Sequence, residues 1–239
     1  MRVALLSDIH ANLVALEAVL AAVGAVDALW VTGDTVGYGA EPSEVLALLR
    51  ERGAVLVQGN HDRGVATGEG LDLFHERAAI AARMHAEWLN AEERDALAAL
   101  PQVRTIDRFT LCHGSLRDPL WEYVTTTGAA AETIARSKTA LVCCGHTHVP
   151  IVYVEENGRV RAARPGHEAS YPLSARCLLN PGSVGQPRDG DKRASYVVLD
   201  TDAGTATFHR ASYRVDEAQR RIRARGLPEM FAERLAFGL

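Results

Sequence analysis

The sequence predicts an α/β fold in which two β-sheets pack face to face with helices on the outside. Two observations carry this expectation. In residues 1–60, short apolar runs alternate with stretches of helical periodicity, the pattern of parallel strands joined by crossover helices. Beyond residue 150, apolar runs follow one another with only tight turns between them, so this part reads as largely antiparallel.

The elements follow in chain order. Residues 3–7 form an apolar run of strand length, and Asn12 is placed to cap a helix ending near Val23, with Leu13, Leu16, Val19, Leu20 and Val23 in one apolar stripe. A second unit joins a strand at 28–32 to a helix at 42–52. Pro42 suits the first turn of that helix, where a missing N–H breaks no bond. Residues 54–58 begin a third unit, and residues 71–100, Ala-rich, charged and free of Gly, predict one or two helices stopped by Pro101. Strands are expected at 103–107, 109–112 and 140–144. The runs 151–156 and 159–163 flank Asn157-Gly158, a dipeptide that tolerates the positive φ angles of a two-residue hairpin turn. Further strands are expected at 176–179, 194–199 and 205–210, with Asp202-Ala203-Gly204 turning between the last two. Val215, Ala218 and Ile222 stand at helical spacing, and a second short helix follows Pro228.

No linker, repeat or low-complexity stretch divides the 239 residues, so one domain is expected over 1–239, with a helical insertion around 69–100 and C-terminal helices around 214–238. A hydrophobic content of 47% is enough to fill a sizeable core. The formal net charge of −4 argues against a general nucleic-acid binder, which needs many cationic contacts to phosphates. It does not exclude a small phosphorylated substrate, because bound divalent cations supply positive charge locally. Cys112, Cys143, Cys144 and Cys177 lack metal-cluster spacing and read as buried free thiols. An acid at Asp8 comes too early for a signal peptide, and no apolar run approaches the ~20 residues of a membrane span, so a cytoplasmic protein with no membrane partner is expected.

Seven side chains of metal-ligating type recur at the carboxyl ends of these strands: Asp8 and His10, Asp34, Asn60, His113, and His146 and His148. Ligands of open α/β sheets gather outside that rim. Asp8 and His10 alternate with Ile9, and His146 and His148 with Thr147, so in extended backbone each pair points one way and can grip one cation. Mixed carboxylate and imidazole donors suit manganese, iron or zinc better than calcium. A bridging carboxylate, for which Asp34 is the candidate, would hold two ions ~3.5–4 Å apart, the separation used in displacement at phosphorus.

Asp8-Ile9-His10, Gly33-Asp34, Gly59-Asn60-His61-Asp62, His113-Gly114 and Gly145-His146-Thr147-His148 together resemble the five blocks of the calcineurin-like metallophosphoesterase superfamily. The resemblance runs from Met1 to about Pro187, and Asn180-Pro181-Gly182-Ser183-Val184-Gly185 is similar to a late loop of the small bacterial members. It implies a four-layer α/β/β/α sandwich of two mixed sheets. It also implies a binuclear site, with one metal on Asp8, His10, Asp34 and His148 and the other on Asp34, Asn60, His113 and His146. The implied reaction is phosphoester hydrolysis by a metal-bridging hydroxide, with His61 as the general acid for the leaving group; Asp62 is assigned to holding the turn or orienting an imidazole. A phosphodiester is the expected substrate, small or nucleotide-like; the alternatives are a phosphomonoesterase, a nucleotide polyphosphate hydrolase, or a non-catalytic metal-binding scaffold. Purple acid phosphatases place a tyrosine ligand three residues after the bridging Asp, where this chain has Gly37, and Tyr38 stands one position late. Arg63 is near the position of a protein-phosphatase arginine, but its surroundings differ.

Arg188 is a candidate substrate clamp, with the amides around Gly182, Ser183 and Gly185 as an anion cradle or simply a turn. Arg220, Arg221, Arg223 and Arg225 read as a solvated helix face. His75, His85, His167 and His209 match no block and are assigned surface or helix-packing roles.

Overall fold

In a computed structural model describing residues 1–239, the chain opens with β1 (Arg2–Leu6), α1 (Leu13–Val23), β2 (Ala28–Val31), α2 (Pro42–Glu51) and β3 (Val55–Leu56). The three strands run parallel, with Leu5 opposite Trp30 and Val31 opposite Leu56. The Asn12 side chain accepts a hydrogen bond from Ala15 N–H at 3.1 Å, capping α1 as its residue type predicts. Three helices follow: α3 (Asn60–Thr67), α4 (Glu76–Trp88) and α5 (Ala91–Ala98). The last two lie in the Ala-rich stretch. Helix α3 is not foreseen from the sequence, because Asn60-His61-Asp62-Arg63-Gly64 has no apolar stripe and poor helix propensity. Its start is held by Asp62, whose Oδ2 accepts from Gly59 N–H at 2.9 Å.

The chain continues through β4 (Val103–Ile106), β5 (Phe109–Cys112), α6 (Thr127–Arg136), β6 (Leu141–Cys143), β7 (Ile151–Glu156), β8 (Arg159–Ala163), β9 (Ser170–Pro172), β10 (Cys177–Asn180), β11 (Ala194–Asp200) and β12 (Thr205–Ala211). It closes with α7 (Val215–Ala224) and α8 (Glu229–Glu233). One six-stranded sheet has the order β3-β2-β1-β11-β12-β9 and the other β4-β5-β6-β10-β7-β8. Both are mixed, since β1 pairs antiparallel with β11 and β10 pairs parallel with β6. Between β7 and β8, Asn157 and Gly158 take φ angles of 51° and 72°, the two-residue turn their types favour. Two further elements escape sequence reading. Helix α6 has a short apolar face set among alanines, and β9 is a three-residue edge strand ending in Pro172, which cannot donate to a ladder.

Alternation along the strands sorts side chains into layers. Val3, Leu5, Trp30, Phe109, Leu111, Leu141, Leu179, Val197 and Phe208 fill the space between the sheets. The opposite faces of the first sheet, Ala4, Leu6, Leu29 and Val31, pack on Leu16 and Val19 of α1 and Val45 and Leu49 of α2. Cys112, Val142, Cys144 and Leu178 of the second sheet pack on Ala130 and Ile134 of α6. The result is a four-layer α/β/β/α sandwich, in which each fully buried Leu stabilises the fold by roughly 1.5–3 kcal/mol. All four cysteines are buried and unpaired, and burial pushes the Cys112 and Cys177 thiols up to about 12, so they serve as apolar filling. Helices α7 and α8 bury Ala218, Ile222 and Phe231 against Val14, Ala40 and Ala81. No helix is long and apolar enough to cross a membrane.

Candidate metal centre

Each candidate ligand follows a strand. Asp8 and His10 lie beyond β1, Asp34 beyond β2, Asn60 at the first turn of α3 beyond β3, His113 beyond β5, and His146 and His148 beyond β6. The loops are zipped together through their backbones: Asp8, His10 and Ala11 donate to the carbonyls of Gly33, Asp34 and Thr35 at 3.1, 3.0 and 2.9 Å. The expectation that Asp8 and His10, and His146 and His148, point one way from extended backbone is corrected here. Asp8, His10, Asp34, His146 and His148 have φ of 52°, 49°, 54°, 69° and 60°, all left-handed. These side chains reach one site from tight turns that begin where the strands end. Each such non-Gly turn costs about 1–2 kcal/mol, a strain held in place by the loop-to-loop hydrogen bonds.

All seven side chains are buried, and their polar atoms meet in two groups. In the first, His10 Nε2 lies 3.1 Å from His148 Nε2 and 3.6 Å from Asp34 Oδ2, and His148 Nε2 lies 3.3 Å from Asp8 Oδ1. In the second, His113 Nε2 lies 3.3 Å from Asp34 Oδ2, 3.1 Å from Asn60 Oδ1 and 3.0 Å from His146 Nδ1. Asp34 Oδ2 belongs to both groups.

The far nitrogen of each imidazole decides what such a group can hold. His10, His113 and His148 place Nδ1 at 2.9, 2.8 and 2.6 Å from the carbonyls of Val36, Thr32 and Gln186, and His146 places Nε2 3.2 Å from the Trp121 carbonyl. A carbonyl only accepts, so these four nitrogens carry the protons. In the neutral rings of His10 and His148 the remaining nitrogens then present lone pairs to one another. Two lone pairs 3.1 Å apart repel unless a cation lies between them. Separations of 3.0–3.8 Å are also the edges of a coordination polyhedron with metal–ligand bonds near ~2.1 Å. Asp8 Oδ1 is buried without a hydrogen-bond partner, while Oδ2 accepts from His146 N–H at 3.0 Å. The donor set therefore fits two cations sharing Asp34.

Electrostatics agree with that fit. Burial lowers His10, His146 and His148, favouring the neutral ligand form, with His146 at about 3. Burial opposes charge on His113 as well, but Asp34 and Asp8 outweigh it and push this imidazole up to about 9. A cation there meets the same two carboxylates. Burial also raises Asp8, to about 7, with Asp34 adding to the rise.

A family model for the calcineurin-like phosphoesterase superfamily domain matches residues 1–204. The chain belongs to the calcineurin-like phosphoesterase superfamily. A metallophosphoesterase crystal structure from Sphaerobacter thermophilus is 42% identical with a TM-score of 0.92, covering 100% of this chain and 99% of that one. An uncharacterized protein of Methanocaldococcus jannaschii is 34% identical over 99% of this chain and 98% of its own length. The structure of a hypothetical protein from Pyrococcus horikoshii shares the fold at 19% identity, with a TM-score of 0.83 and coverage of 100% and 98%.

His61, the expected general acid, adjoins the site. Its N–H donates to Asp34 Oδ1 at 2.9 Å, and its ring contacts those of Phe74, Tyr38 and His10 at centroid distances of 4.4, 4.5 and 4.9 Å. Burial lowers it to about 4, aided by the charges of Arg188 and His113. Asp62 holds the turn as expected, accepting from Thr35 N–H at 2.9 Å and Thr35 Oγ1 at 2.6 Å. Two of the three amides expected to form an anion cradle in the late loop, those of Gly182 and Gly185, are committed within the protein. The amides of Val184 and Gly185 donate to the Ser7 and Asp8 carbonyls at 3.0 Å each, and Gly182 N–H to Asn180 Oδ1 at 2.9 Å. That loop instead buttresses the Asp8 turn, and a Cβ on Gly185 would lie 1.8 Å from the Ile9 carbonyl oxygen. Arg188 does reach the site's edge, its guanidinium 5.7 Å from the Tyr38 ring centroid. Arg220, Arg221 and Arg223 are ion-paired on α7, and Arg225 stacks on Trp88 at 3.8 Å.

One contributor goes unrecognised at the sequence level. His85 of α4 is buried, accepts from Gly37 N–H at 3.0 Å and donates to the Gly39 carbonyl at 2.8 Å, fixing the loop that carries Tyr38. A signal existed: Ala78, Ala81, Ala82 and His85 occupy one helical stripe, so a polar residue falls on a buried face.

Proposed function

We propose that this chain is a binuclear metal-dependent phosphoesterase that cleaves phosphodiesters. The observation that supports this most is the opposed lone pairs of His10 and His148, with His113, His146 and Asn60 converging on the other side of a shared Asp34. Asp8, His10, Asp34 and His148 would hold one ion, and Asp34, Asn60, His113 and His146 the other, with manganese, iron or zinc the metals these donors suit. Bound there, the pair supplies Lewis acidity toward a phosphoryl oxygen and brings a coordinated water toward ionisation near neutral pH.

The protein's own groups do the rest. The backbone bonds to Val36, Thr32, Gln186 and Trp121 carbonyls keep four imidazoles oriented, each with its other nitrogen turned toward the ligating positions. His61 is the proton donor to the departing oxygen. Its low affinity for a proton in the empty pocket rises when an anionic phosphoester lies beside it, since a neighbouring negative charge favours the imidazolium. Phe74 on His61 and Tyr123 stacked on His146 at 3.8 Å line the approach with aromatic surface, which favours an ester carrying two organic substituents over a bare dianion.

Metal analysis and parallel assays with bis-p-nitrophenyl phosphate and p-nitrophenyl phosphate test this reading. Expected are about two metal ions per chain and faster turnover of the diester. A preference for the monoester makes the protein a phosphomonoesterase, and two bound ions with no turnover of any phosphoester makes it a binding scaffold.

A further inference from the structure

Nine of the 24 arginines form ion pairs with side-chain carboxylates, Arg117, Arg193, Arg210, Arg220, Arg221 and Arg223 among them. Arg188 and Arg234 have no such partner, and unlike the other unpaired arginines they share one hydrogen-bond acceptor. Arg188 Nη2 donates to Gln186 Oε1 at 2.8 Å, and Arg234 Nη1 approaches the same oxygen at 3.3 Å. Two guanidinium groups thus converge on one neutral amide oxygen. Arg188 Nε is buried with no partner at all, and Arg234 Nε is held by the Leu239 main-chain oxygen. Both side chains are half-buried.

Their position relative to the candidate metal centre is set by Tyr38. Its ring lies 4.6 Å from the His10 ring and 4.5 Å from the His61 ring, and Arg188 lies over it. The Gln186 carbonyl, on the same residue that receives both arginines, accepts from the ligand-type His148. Arg234 comes from the short turn after α8, beyond the residues matched by the family model, and is carried to this place by the packing of Phe231 and Leu235. Half-burying two like charges side by side is unfavourable unless an anion joins them, and guanidinium groups bind phosphate oxygens through paired, charge-assisted hydrogen bonds.

We propose that Arg188 and Arg234 form a subsite for a second phosphate group on the substrate, beside the phosphorus that is cleaved. This rests on the phosphoesterase reading and narrows it to phosphoesters bearing a further phosphate, as in a nucleoside bisphosphate. Both guanidinium groups converge on Gln186 Oε1, and there one phosphate would bridge them.

The test uses two chromogenic diesters that differ by one phosphate, the 5′-p-nitrophenyl esters of thymidine 5′-phosphate and of thymidine 3′,5′-bisphosphate. The metal-loaded wild-type protein should show a KM at least about tenfold lower for the bisphosphate ester, equivalent to ~1.4 kcal/mol. In Arg234→Gln and Arg188→Gln that ratio should fall to about threefold or less, while Arg223→Gln, a surface arginine paired with Glu229, should retain it. Equal KM values in the wild type would overturn the subsite, as would an Arg234→Gln protein that keeps the ratio and only melts earlier, which would make Arg234 a structural latch. Calorimetric binding of adenosine 3′,5′-bisphosphate against adenosine 5′-monophosphate gives a readout independent of turnover. If neither ester is cleaved but the bisphosphate binds more tightly through both arginines, the hydrolytic reading fails and the subsite stands.

Discussion

Asp34 is the residue on which both groups of ligands depend. Its Oδ2 lies 3.6 Å from His10 Nε2 and 3.3 Å from His113 Nε2, and its Oδ1 fixes the backbone of His61. Burial pushes its carboxyl upward, yet His113 and His61 hold it below the ordinary carboxylate range, so it is charged where a cation would sit. Asp34→Ala should therefore lose both metal ions, whereas Asp8→Ala should keep about one, because Asp8 belongs to the first group alone. Elemental analysis of the purified variants decides this; an Asp34 variant that retains two ions removes it from the bridging position. His61 predicts the opposite pattern. His61→Ala should retain metal and lose about 10²–10⁴-fold in kcat, the range for removing a general acid, and a loss under tenfold would assign the proton transfer elsewhere. The identities of these residues are legible in the sequence, because the Asp-x-His and His-x-His spacings and the Gly-Asn-His-Asp turn survive in one dimension. Their left-handed backbone is not, since it arises from hydrogen bonds between loops far apart in the chain, such as His10 N–H to the Asp34 carbonyl.

Among the elements, α4 has the most specific consequence for the site. Burial lowers His85 to about 4, below its ordinary value of 6.5, against the opposing effect of its bond to the Gly39 carbonyl, while Nδ1 accepts from Gly37 N–H and has no room for a second proton. The unfolded chain takes up a proton near pH 6.5 and the folded one does not until about pH 4. His85 thus contributes its full stability above 6.5 and loses it as pH falls toward 4, at about 1.4 kcal/mol per pH unit. Urea denaturation of the wild type and of His85→Gln at pH 7 and pH 5 should show a wild-type loss larger by about 2 kcal/mol. Identical losses would mean that His85 is free to titrate in the folded state. Helix α4 itself was legible from its alanines and charges, but its partner loop was not, because no sequence rule relates residue 85 to residues 37–39.

At the scale of the whole molecule, the division into a parallel first half and an antiparallel second half is legible from strand spacing, but the strand order is not. Strands β11 and β12 join the sheet begun by β1, and β10 inserts between β6 and β7, so the second half is shared between both sheets. Such pairings depend on which edges remain open after the local units form, and nothing local to β11 specifies β1 as its partner. The same long-range closure brings the C-terminal helices back under the site. Phe231 is buried with its ring 4.9 Å from that of Tyr38, and it packs in the cluster that joins α7 and α8 to Val14, Ala40 and Ala81. Removing this ring leaves a cavity beneath the Tyr38 loop, so Phe231→Ala should lower the unfolding free energy by about 3–5 kcal/mol and shift the single denaturation transition as a whole. A variant that instead shows an unchanged main transition, with only a minor early phase, would mean that α7 and α8 dock on the sandwich without sharing its cooperativity.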